Sequence, residues 1–199
     1  MMGALIRLVG LGLLLLAAAT AGAQPERYDR RQWPHWGPSA REPGCDVRFE
    51  VLVRDAQYVA RDAKRRCRLA VGVWTDPYTG DGLRDPVRLD VDHLVPLRWA
   101  WRHGAALWDR ERRAAYANDV RYPYHLLAAS ARANRQKGAR GPAAWAPADR
   151  DARCAYGHRW VAVLFLWRLT PGDEDRAALE SMLRGCRPVG YGVGEEAPS

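Results

Sequence analysis

Two short stretches hold residue types able to do chemistry together. In the first, Asp90-Val91-Asp92-His93-Leu94-Val95-Pro96-Leu97, an apolar run ends in a carboxylate beside an imidazole, and Pro96 then breaks it. In the second, Ser130-Ala131-Arg132-Ala133-Asn134-Arg135-Gln136-Lys137-Gly138, an amide and two cations share one short helical segment, with Asn134 and Lys137 three residues apart on neighbouring parts of its surface. Hydrolysis of a phosphodiester needs an activated water in line with the leaving oxygen, and positive charge to stabilise the pentacovalent phosphate. An imidazole and a hard divalent cation supply these. Mg²⁺ keeps several of its waters, so one carboxylate and one amide oxygen suffice as protein ligands, and Asp92 and Asn134 are of those types. Each residue also has an ordinary reading: His93 as a surface histidine, Asn134 as a helix cap, Asp90 as a solvated strand carboxylate.

The elements that must position these residues follow from local pattern. Val87 to Val91 reads as a strand ending at the Asp-His pair, and Leu69 to Trp74 as another, so that the two form a hairpin or neighbouring strands. Asp76-Pro77-Tyr78-Thr79-Gly80 is first a turn and only secondly a substrate loop. Residues 98–119, rich in Ala, Arg and Trp, predict one or two helices broken at Gly104. His125-Leu126-Leu127 predicts a brief strand, and Ser130 an N-cap for a short helix stopped by Gly138. Apolar spacing over Asp46–Lys64, Asp149–Leu169 and Asp173–Leu183 predicts three further helices, the last two building the core.

These motifs resemble the HNH, or ββα-metal, nucleases, in which a strand ending in Asp-His is followed by a second strand and a helix bearing Asn or His. CDVR at 45–48, GVWTDPYTG at 72–80, LDVDHLVPL at 89–97, YAND at 116–119 and NRQKGARGPAAWAP at 134–147 look like the small secreted bacterial HNH endonucleases, which are related to the nuclease domain of GmrSD-type restriction enzymes. The likeness runs from Cys45 to about Cys186. It implies an α+β fold with a ββα-metal core embedded in a mainly helical domain, one Mg²⁺ or Mn²⁺ ion, and DNA, with RNA as a second candidate, as substrate. It further implies Asp92 and Asn134 as metal ligands and His93 as the general base. His125 falls at the middle position of the triplet, commonly Asn, and joins His93 as a candidate catalytic residue. Arg135 and Lys137 are candidates for holding phosphates. Ala139 departs from the Asp often found after Lys-Gly.

Composition sets the frame. The first 23 residues have signal-peptide layout: Arg7, an apolar run, then Ala21-Gly22-Ala23, predicting export and a mature chain from about Gln24. Residues 24–44 read as an irregular arm whose Trp33 and Trp36 pack onto the domain, 45–187 as one domain, and 188–199 as a flexible tail. Four cysteines in an exported chain predict two disulfides, and of three connectivities we favour Cys45 with Cys67 and Cys154 with Cys186. The formal charge of +8 suits a polyanionic partner, although it also serves solubility. A rival reading is therefore a non-catalytic basic module for extracellular nucleic acid or anionic glycans. A secreted hydrolase of another kind would need a different ligand set, and the chain has no HExxH.

Overall fold

A computed structural model describes residues 27–186, so the leader over 1–23 and the tail over 188–199 lie outside the described residues. Helix α1 (Val47–Arg54) starts at Asp46, whose side chain accepts from the Phe49 N–H, and buries Val47, Phe49, Val51 and Leu52. It is shorter than the spacing over 46–64 predicts. The Asp55 carboxylate accepts from Arg54 Nε at 2.7 Å and from the Ala128 N–H at 2.8 Å, which turns the chain out of the helix. Residues Tyr58–Arg61 instead form strand β1, antiparallel to β2 (Leu69–Thr75) with Tyr58 opposite Val73. Their apolar pair fits either period, and cross-strand pairing decides it.

Strand β3 (Gly82–Leu83) occupies the other edge of β2, giving the order β1-β2-β3. The expected pairing of 69–74 with 87–91 does not form, because the Asp76 N–H bonds to Asp81 O and returns the chain directly into β3. Strand β4 (Leu89–His93) pairs instead with β5 (Leu126–Ser130), antiparallel, with Asp92 opposite Leu127 and His93 opposite Leu126. Between them lie α2 (Leu97–Arg102) and α3 (Arg110–Ala117), separated at Gly104, whose φ of 123° suits glycine.

From β5 the chain passes straight into α4 (Ala131–Lys137), with the Ser130 hydroxyl accepting from the Ala133 N–H. Helices α5 (Arg150–Trp167) and α6 (Asp173–Leu183) follow and pack on each other. Alternation along β5 divides the interior into two cores: Leu126 and Ala128 point to one with Leu89, Val91, Val51 and Trp74, while Leu127 and Ala129 point to the other with Trp160, Val163 and Tyr116. The domain is thus α+β but not mainly helical, since both cores rest on sheet. Its disulfides join Cys45 to Cys67 and Cys154 to Cys186, the pairing favoured from the sequence.

Candidate active site at the tip of strand β4

Asp90 and Asp92 leave β4 on one face, and α4 crosses that face so that each carboxylate meets a residue one turn apart. Asn134 Nδ2 donates to Asp90 Oδ2 at 3.0 Å, and Lys137 Nζ lies 2.9 Å from Asp92 Oδ2 and 3.0 Å from Oδ1. Asp90 is therefore part of the helix–strand junction rather than a merely solvated carboxylate. Lys137 is fully buried, and its remaining contact is the His93 carbonyl at 3.0 Å. An ammonium enclosed in this way has no free face for a phosphate. Arg135, exposed and two positions earlier, is the cation of this helix that lines the cleft.

The Asp92 carboxylate has a second partner that sequence reasoning missed. The Tyr78 hydroxyl donates to Asp92 Oδ2 at 2.5 Å, and burial together with the Asp92 charge pushes the Tyr78 phenol well above its usual range, so it stays a donor. Tyr78 comes from the Asp76–Gly80 turn, whose Asp76 carboxylate accepts from the Tyr78 and Ser130 N–H groups. That carboxylate pins the turn to the start of α4. Burial raises the Asp92 carboxyl and lowers the Lys137 ammonium, while each partner pulls the other back toward its charged form. With both oxygens engaged by the ammonium and a hydroxyl, the pair is held as an ion pair.

His93 stands at the end of the strand. Its Nε2 lies 2.9 Å from the Ala117 carbonyl, which can only accept, so Nε2 carries the proton and Nδ1 presents a lone pair. Burial, with the neighbouring His125 adding to it, holds the imidazole well below the usual histidine range, so the ring is neutral. Trp36 of the N-terminal segment stacks on one side at 5.7 Å, and Tyr116 lies near-parallel at 6.4 Å. Trp36 holds a left-handed φ of 59°, unusual for a bulky residue.

His125 is wholly buried, its Nε2 2.7 Å from the Tyr116 carbonyl and its ring edge-on to His93 at 6.0 Å. Its backbone carbonyl accepts from the Leu94 N–H, and burial lowers its pKa to about 4. It supports the turn after β4 and the back of His93, and does not itself line the cleft.

One cleft of about 470 Å³ is lined by Asp92, His93, Asn134 and Arg135 together with Arg30 and Arg98. A larger one of about 800 Å³, around Arg54, Tyr124 and Arg159, contains none of the predicted residues. Among the described residues no three His, Cys, Asp or Glu side chains form a metal-holding group.

A protein of the fungus Arthroderma benhamiae, described as an uncharacterized secreted protein, is 34% identical over 174 residues, covering 86% of this chain and 83% of its own length. The chain belongs to the family of that secreted protein. Membership agrees with the two disulfides of an oxidising compartment, and the chain is itself secreted. No helix among the described residues is long and apolar enough to cross a membrane. Neither a protein-family profile nor a solved structure matches the chain. Because this family member is fungal, a specifically bacterial group has no support from the comparisons.

Proposed function

We propose that this secreted family member is an endonuclease of the HNH type, hydrolysing phosphodiester bonds of DNA and, as a second substrate, RNA. The observation that carries the reading is that His93, with its Nδ1 lone pair left by the Ala117 hydrogen bond, shares one cleft with Asp92, Asn134 and Arg135. The order β4, β5, α4 and the antiparallel register of the two strands support a ββα-metal assignment for that unit.

The donor set suits a hard divalent cation. Asn134 gives its Nδ2 to Asp90, leaving Oδ1, and Asp92 Oδ1, met by Lys137 alone, retains a lone pair, whereas Oδ2 takes both Tyr78 and Lys137. Asp92 and Asn134 would hold Mg²⁺ or Mn²⁺, which supplies Lewis-acid stabilisation of charge at phosphorus and on the departing oxygen. His93 Nδ1 takes the proton of the attacking water as its oxygen bonds to phosphorus. Arg135 holds the non-bridging oxygens, the bond to the 3′ oxygen breaks, and that oxygen takes a proton from solvent. The products are a 5′ phosphate and a 3′ hydroxyl.

Purified protein with supercoiled plasmid and Mg²⁺ is expected to give nicked circles. EDTA stops this, and His93→Ala slows it by roughly 10²–10⁴-fold, the usual worth of a general base. Nicking that survives both treatments removes the proposal. A second reading, the non-catalytic basic module, is favoured by one fact: Asp92 is already neutralised by Lys137. Salt-sensitive nucleic-acid binding without metal-dependent nicking would select it.

A further inference from the structure

The cleft that holds His93 has a second wall, built by residues outside the β4–α4 unit. Tyr28 and Arg30 reach it from the N-terminal arm and Arg98 from α2. The Arg98 guanidinium lies over the Tyr28 ring, 5.1 Å from its centroid. The Arg30 guanidinium sits beside the Tyr28 hydroxyl, and the ring stands edge-on to Trp101 at 6.1 Å. One tyrosine therefore orders two guanidiniums, one through its face and one through its hydroxyl.

The arm is rigidly seated. Trp33 is buried among Trp101, Trp108 and Tyr116, and Asn118 closes on both the Pro34 carbonyl and the Gly37 N–H. Charge is distributed unevenly along it: Arg31 is neutralised by Asp29, whereas among the described residues no carboxylate pairs with Arg30, Arg98 or Arg135. Arg30 is also close enough to His93 to disfavour an imidazolium there. Guanidiniums held in place by an aromatic face, and left without an internal anion, are preorganised for the planar, bidentate contact that a phosphate offers.

We propose that Tyr28, Arg30 and Arg98 form a second phosphate subsite, which grips a backbone phosphate flanking the one attacked at His93. The inference rests on the nuclease reading and extends it: the arm, and not only the β4–α4 unit, sets how the nucleic-acid backbone lies in the cleft. Contacts of this kind position the substrate without reading base edges, so they predict weak sequence preference.

The test pairs kinetics with binding. Plasmid nicking in Mg²⁺ is compared between the natural protein, R30Q/R98Q, and the control R65Q/R84Q, which removes two exposed charges outside the cleft. A short fluorescent single-stranded oligonucleotide is then titrated in EDTA across a salt series. We expect R30Q/R98Q to raise KM on the order of tenfold with kcat nearly unchanged, and to flatten log K against log salt by about 0.7, one phosphate's worth for single strands. The control should move neither, and R30K/R98K should restore the salt slope but not the full affinity. Natural protein that nicks plasmid, with R30Q/R98Q matching the control in both measurements, overturns the subsite and leaves the nuclease reading standing. No nicking, but binding that R30Q/R98Q weakens, removes the nuclease reading and keeps a phosphate subsite. Neither nicking nor salt-sensitive binding removes both. Matching thermal unfolding curves show that the exposed substitutions leave the fold intact.

Discussion

At the scale of single residues, the Asp92–Lys137 pair carries the largest energetic stake. Both side chains are buried, and each satisfies a charge that would otherwise stand alone in an apolar interior. A buried pair adds little over a well-packed apolar replacement, yet removing one member leaves an uncompensated charge, at about 3–5 kcal/mol. Lys137→Met should therefore lower unfolding free energy by roughly that amount in urea titration. Adding Asp92→Asn in the same chain should recover part of the loss, because the two residues are in direct contact and their effects cannot be additive. Additive losses would mean that the pair is not the coupled unit its geometry describes. The same pair explains why Lys137 serves the site from beneath, holding Asp92 and the His93 carbonyl in place, while Arg135 faces the cleft.

At the scale of elements, what the sequence declares locally is what survives in the fold. The strand ending at His93, the Ser130 cap, the α4 stop at Gly138 and helices α5 and α6 are written in nearest-neighbour terms: caps, turn residues and periodicity. Among distant partners the two disulfides were legible, but the strand pairings were not. Nothing local separates Tyr58–Arg61 as a strand from the tail of α1, or assigns β4 to β5 instead of β2. Likewise Tyr78 reads as a turn residue, since its contact with Asp92 exists only once the turn is folded under β4. Trp36 reads as packing and was not visible as the ring over His93. The turn itself depends on Asp76, which is buried and accepts from the Tyr78 and Ser130 N–H groups. Asp76→Ala strands those donors, and the expected loss is about 2–3 kcal/mol of stability. Because the turn also carries Tyr78 to Asp92, plasmid nicking should fall further than Tyr78→Phe alone makes it fall. Equal nicking by the two variants would show that the turn's anchorage does not matter to the site.

At the scale of the whole molecule, the His93–His125 arrangement makes the fold sensitive to acid. Both imidazoles are buried, with ring centroids 6.0 Å apart, and burial lowers both pKa values, that of His125 to about 4. In the unfolded chain each histidine titrates at about 6.5. Between those values the unfolded state binds more protons than the folded one, so stability falls as pH falls. The contribution of His125 is fully present above about 6.5, declines from there to about 4, and is flat below, amounting to roughly 3 kcal/mol across the window. The raised Asp92 carboxyl works in the opposite sense as pH falls toward the ordinary carboxylate range, so His125 is best isolated by difference. Asparagine at position 125 keeps a donor for the Tyr116 carbonyl but does not titrate. Urea unfolding at pH 7.5, 6.0, 5.0 and 4.5 should show the His125→Asn protein losing less stability with acid than the natural chain, the gap widening steadily below about 6.5. Parallel curves would mean that His125 takes up its proton within the folded state, and that the back of the His93 pocket is open to water in a way its burial does not allow.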